Sequence, residues 1–171
     1  MHWIWWVLGA AASAVGLMAA VGAMLPLRHH ATRKARFRAS PEALYAVLAG
    51  PPDWRTGVKA FGVLPDAGGR ERWWEQDSYG HKITYELDEA RPPERLRIRL
   101  AQPGLAFGGS WMFDIAPAPD GGAELRISAD GEIHNVIFRF LARFVFGYHA
   151  GIDTCLNDLG AKFGQAFKLE A

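Results

Sequence analysis

No Lys, Arg, Asp or Glu occurs before Arg28, and from Trp3 to Leu27 the chain is uncharged and mostly apolar. As a helix rising ~1.5 Å per residue, a run of that length crosses a hydrocarbon core of ~30 Å with some tilt. Trp3, Trp5 and Trp6 stand at one end, where indole rings favour the membrane interface. "RHHATRKARFR" follows at the other end, with Arg28, Arg33, Lys34, Arg36 and Arg38 and no acidic residue among them. A cleavable signal peptide would start basic, carry a shorter apolar core and end in a small-residue site. Of these features only the last is met, by Val21-Gly22-Ala23. The expectation is an uncleaved transmembrane anchor over 1–27 and a basic juxtamembrane linker over 28–34. Because the basic residues follow the span, the folded part is expected on the cytoplasmic side of the cell membrane, held by a single pass.

With 171 residues, one domain plus this appendage is the natural partition. Setting aside the five basic residues of 28–38 leaves 14 of the 19 basic residues against 18 acidic ones, so a nucleic-acid partner is not expected. The positive charge is a membrane-surface feature, worth up to ~1 kcal/mol per residue toward anionic lipid. Membrane lipid is therefore an expected partner. The single cysteine, Cys155, excludes an internal disulfide and a cysteine zinc cluster. His81, His134 and His149 are scattered without metal-ligand spacing, and His29 and His30 belong to the charged flank. Neither a metal nor a cofactor is predicted. Ala12, Gly16 and Ala20 recur every fourth position, a spacing that permits close helix approach and hence a homodimer through the span.

Alternation organises the middle of the chain. "KARFRA" sets Ala35, Phe37 and Ala39 against Lys34, Arg36 and Arg38, the pattern of a half-buried strand. "SPEALYAVLAG" reads as a short helix: Ser40 can cap, Pro41 fits the first helical position, and Glu42 suits the positive helix end. Two prolines stop it and deliver Trp54. About six strands follow, separated by turns such as "PDAGG", "RPPE" and "APAPDGG". Ile83, Tyr85 and Leu87 share one strand face, and Leu96, Ile98 and Leu100 oppose Arg95, Arg97 and Arg99. Of Trp73 and Trp74, one must face each way. In the last third the period changes to three or four: Ile137, Leu141, Phe144, Tyr148, Ile152, Leu156, Leu159, Phe163 and Phe167 form one apolar stripe, breakable at Gly147 or Gly151.

Strand, short helix, antiparallel strands and a closing helix make an α+β protein in the order of the helix-grip fold. "ASPEALYAVLAGPPDW" resembles the opening signature of the START-like superfamily, also called SRPBCC or polyketide cyclase/dehydrase-like. "GIDTCLNDLGAKFG" is similar to the end of its C-terminal helix. The resemblance covers roughly 32–167, within a domain expected over 35–168. It implies a curved antiparallel sheet wrapped around a long C-terminal helix, with a cavity between them for a hydrophobic small-molecule ligand: a lipid, an isoprenoid or a polyketide-like molecule. Alternation then points Phe37, Tyr85, Leu87, Ile98, Trp111, Phe113 and Ile127 into that space, with Phe144, Tyr148 and Ile152 from the helix and Trp54 at its rim. The competing reading makes the same side chains core filler.

Enzyme signatures are sparse, which favours a binding module. The alternative is a cyclase/dehydratase-type enzyme using Tyr85, Tyr148 or His149 for proton transfer, with Asp153 four residues from His149 on one helical face. A third reading is a membrane accessory factor for a protein partner. "NVIFRFLARFVFGYH" is apolar nearly all round apart from Arg139 and Arg143, a composition that suits either a membrane interface or a packed partner.

Overall fold

A computed structural model describes residues 2–119 and 121–167. Lys168, the last residue of the expected domain, lies outside the described residues. Helix α1 (His2–Met24) comes first. β1 (Arg28–Phe37), α2 (Pro41–Ala49) and a 3-10 turn (Pro52–Trp54) follow. Then come the strands β2 (Ala60–Ala67), β3 (Arg70–Gln76), β4 (Lys82–Arg91), β5 (Arg95–Leu100), β6 (Phe107–Pro117) and β7 (Ala123–Ile133). The chain closes with α3 (Val136–Leu141), a π-helical turn (Ala142–Phe146) and α4 (Ala150–Lys162).

The seven strands form one antiparallel sheet in the order β1-β7-β6-β5-β4-β3-β2. Consecutive strands are neighbours from β2 to β7, and only β1 crosses, to pair with β7. On the inner face Phe37, Leu125 and Ile127 are fully buried against Ile152, Leu156 and Leu159 of α4. Alternation carries the arginines to the outer face, where Arg70 and Arg99 donate to Glu86 at 2.9 and 2.6 Å.

Helix α2 forms for the reasons its sequence gives. Ser40 Oγ accepts from the Ala43 N–H at 3.3 Å, Pro41 occupies the first turn, and Leu44 is fully buried. Past the prolines, Trp54 Nε1 donates to the Val47 carbonyl at 3.1 Å, satisfying an acceptor left open at the helix C-terminus.

The structure differs from expectation at the first strand. Residues 28–34 are not a linker: they are the first seven residues of β1, registered from Arg28↔Glu132 to Lys34↔Arg126. β7 supplies both the hydrogen-bonding partner and the acids that the local sequence lacks. Arg28 pairs with Glu132 at 2.8 Å and Lys34 with Glu124 at 3.6 Å, while Arg33 reaches across to Asp153 on α4 at 2.9 Å. The C-terminal stripe breaks at Gly147, one of the two glycines at which the sequence allowed it. Gly147, at φ 78°, takes a left-handed conformation that ends the π turn and reorients the chain, leaving 13 residues to α4. Phe163 and Phe167, beyond α4, pack edge-on against Phe37.

Among the described residues, α1 is the one helix long and apolar enough to cross a membrane. Residues 2–17 are exposed, Trp3, Trp5 and Trp6 included, and burial begins only at Met18. From there α1 packs on α3. Gly22 is buried, and a Cβ at this position would collide with the Val136 carbonyl oxygen. Arg139 Nη1 donates to the Leu25 carbonyl at 2.9 Å, capping the end of α1.

Candidate functional site

Between the inner sheet face and α4 lies a cavity of about 150 Å³. Arg55, Gly57 and Val58 enter it from the loop that Trp54 anchors, and Glu75, Ile83 and Tyr85 from β3 and β4. The β3–β4 turn adds Asp77 and His81, and α4 contributes Gly151, Thr154, Cys155 and Asp158. Small-molecule pockets usually measure ~300–1,000 Å³. This one encloses a single ring or a short chain segment, since a dry cavity of ~150 Å³ takes a benzene-sized guest.

The floor is polar and internally paired. Arg55 Nη1 donates to Glu75 Oε2 at 2.6 Å, and Trp73 Nε1 donates to Glu75 Oε1 at 3.0 Å. The Glu75 side chain is 7% exposed and that of Arg55 30%. The Arg55 guanidinium also faces the Tyr85 phenol, which lines the same space. Burial raises the Tyr85 phenol above its ordinary value, as does the nearby Glu75 charge, so the group remains a proton donor. Burial also pushes the Cys155 thiol up to about 12, which makes it a poor nucleophile. Asp158 is held elsewhere: it accepts from the Thr56 N–H and hydroxyl at 2.9 and 3.0 Å, locking the Arg55 loop to α4. Chemically, the site offers an apolar wall, a phenol and a buried ion pair. It can orient one polar group of an otherwise apolar guest. Among the described residues, no three His, Cys, Asp or Glu side chains converge as metal ligands.

Of the cavity residues read from the sequence, Tyr85 lines this space. Phe37, Phe113, Ile127 and Ile152 are buried in the core. Trp54, Leu87, Ile98 and Trp111 are half-buried and pack against that core. Phe144 points to solvent at 59% exposure. The Tyr148 ring stacks on His29 at 4.4 Å between centroids and does not reach the cavity. His149 and Asp153 do not form the expected pair, because the Asp153 carboxylate is engaged by Arg33. Arg55 and Glu75 escaped the sequence reading. The register answers the Trp73–Trp74 question: Trp73 pairs with Tyr85 and faces inward, so Glu75, two residues on, does too. Trp74 covers Gly62 on the outer face beneath Lys82.

A second depression, on the outer face, holds Arg28, Arg97, Arg99, Asp88, Asp130 and Glu132. Its charges are largely satisfied among themselves, through Arg28–Glu132, Arg99–Asp88 and His30–Asp130.

A curved antiparallel sheet closed by a C-terminal helix over a cavity defines the helix-grip fold. Solved structures share it. The di-domain ARO/CYC StfQ of the steffimycin biosynthetic pathway superposes with a TM-score of 0.63 at 12% identity, over 82% of this chain and 51% of that one. This chain thus spans about half of that protein. Norcoclaurine synthase from Thalictrum flavum gives 0.60 at 9% identity, over 79% and 92% of the two chains. Protein CV1439 from Chromobacterium violaceum gives 0.54 at 20% identity, over 81% and 98%. At these identities the likeness is one of fold. No family model matches the chain, and no curated protein does.

Proposed function

We propose that this chain is a membrane-anchored helix-grip domain that binds a hydrophobic small molecule by its polar end. The observation that carries this reading is the cavity itself: Val58, Ile83 and Cys155 give it an apolar lining, and the Arg55–Glu75–Tyr85 group a polar one. A lipid, isoprenoid or polyketide-like molecule with a hydroxyl, carbonyl or carboxylate fits that chemistry. About 150 Å³ admits its polar end or one ring, and the remainder stays at the mouth. Helix α1 holds the domain beside a membrane in which such a ligand concentrates, raising its effective concentration.

The anchor is a single pass with the domain on the cytoplasmic side. Arg28, Arg33, Lys34, Arg36 and Arg38 support this orientation. Their acid partners in the folded sheet do not weaken the argument, because topology responds to the count of Lys and Arg near the span rather than to net charge.

Turnover of the cyclase type is the second reading, favoured by Tyr85 standing protonated beside a buried carboxylate. The names of two fold neighbours, norcoclaurine synthase and the ARO/CYC StfQ, point the same way. One experiment separates the two. The full chain is purified from membranes, its small molecule is extracted and identified, and that molecule is returned to stripped protein. Binding without conversion is expected, about tenfold weaker in Tyr85→Phe, the effect of one lost hydrogen bond. Conversion to a product, abolished in Tyr85→Phe with binding retained, would replace the binding reading by the catalytic one.

A further inference from the structure

Phe138, Phe144, Val145 and Phe146 are 49, 59, 61 and 65% exposed, an apolar patch on α3 and the π turn with no cover from the rest of the domain. α1 says what lies against it. The two elements are locked together by the close approach at Gly22 and by Arg139 on the Leu25 carbonyl. On α1 the residues that are not exposed are Met18, Ala19, Val21 and Gly22, so α3 touches the last ~10 Å of a helix that is ~35 Å long. A hydrocarbon core of ~30 Å cannot contain α1 without drawing α3 into the boundary layer. The depth agrees with that of in-plane amphipathic helices, which sink ~5–10 Å.

We infer that α3 and the π turn form an in-plane membrane element, with Phe138, Phe144 and Phe146 inserted among the lipids of the leaflet where α1 ends. Arg143, exposed on the same turn, meets the anionic head groups. The element leads through Gly147 directly into α4, whose Gly151 is part of the cavity wall. The cavity is thereby held at the bilayer surface, on the side from which a lipophilic ligand would arrive. This inference rests on α1 spanning the membrane.

The test uses the full chain in phosphatidylcholine–phosphatidylglycerol vesicles, with nitroxide labels on Phe138→Cys, Phe144→Cys and Phe146→Cys variants. All three positions lie outside the buried core and Cys155 is buried, so labelling is selective. Each label is expected to be relaxed several-fold more by oxygen, which partitions into lipid, than by a water-soluble nickel chelate. A label on Tyr79→Cys, at a site 85% exposed in the β3–β4 turn, is expected to show the reverse. Labels at 138, 144 and 146 that behave like the one at 79 would overturn the inference. So would labels shielded from both relaxants, the signature of a protein partner or a second copy. A label on Val7→Cys, in the exposed part of α1, reports the anchor separately: lipid-exposed at 7 but water-exposed at 144 removes the in-plane element and leaves the anchored-domain reading standing.

Discussion

A carboxylate as buried as that of Glu75 is costly unless charge and hydrogen bonds are returned to it, and here Arg55 and the Trp73 indole return both. That pairing explains how a charged residue sits on the inner face of a strand whose neighbours are aromatic. Cys155 shares the cavity wall and shows the opposite outcome, because burial outweighs the Arg55 charge that would favour its thiolate. Its thiol, pushed up to about 12, is almost entirely protonated at pH 8. Iodoacetamide should therefore alkylate it at least about 100-fold more slowly in the native chain than in urea, where an ordinary value of ~8.5 returns. Mass spectrometry of timed samples measures both rates, and native and unfolded rates within tenfold of each other would contradict the buried placement. Arg55 could not have been assigned from the sequence, because it stands in a loop where no period fixes direction. Glu75 could be placed only after Trp73, and two adjacent tryptophans carry no sign of which one faces in.

Elements were more legible, wherever one face had to be apolar. The strand at Phe37, the cap at Ser40, the hard stop at Pro51 and Pro52, and the alternation of Leu96 and Ile98 with arginines all follow from period and turn chemistry. The stop has a definite role: it swings Trp54 back so that its indole N–H serves the Val47 carbonyl. Trp54→Phe keeps most of the packing and strands that acceptor, so a loss of about 1 kcal/mol is expected in urea unfolding. An unchanged midpoint would show that solvent satisfies the carbonyl instead. The first half of β1 was illegible for a different reason. "RHHATRK" has no apolar alternation, and its strand character comes from pairing with β7 nearly a hundred residues away, where Glu132 and Glu124 meet Arg28 and Lys34. In the C-terminal stripe the apolar period is continuous across both Gly147 and Gly151, so the sequence offered two break points and the positive φ of Gly147 decides between them.

At the scale of the whole molecule α1 is joined to the domain by more than a tether. α1 ends against α3, α3 passes into the π turn, and the turn passes into the helix that walls the cavity. Truncation before Arg28 would remove the cover of Val136 and the partner of Arg139, so the full chain is the proper object for functional work. A cavity does lie between the sheet and the closing helix, smaller and with a more polar lining than a wholly aromatic pocket. The most direct test is native mass spectrometry of the full chain released from lipid nanodiscs, beside an Ile83→Trp variant. Ile83 lines the cavity without belonging to the buried core, so the larger side chain fills the space and leaves the fold intact. One small molecule per wild-type chain, with occupancy at least tenfold lower in the variant, is the predicted result. An empty wild-type chain, or equal loading of the two, would contradict the assignment of this cavity as the binding site.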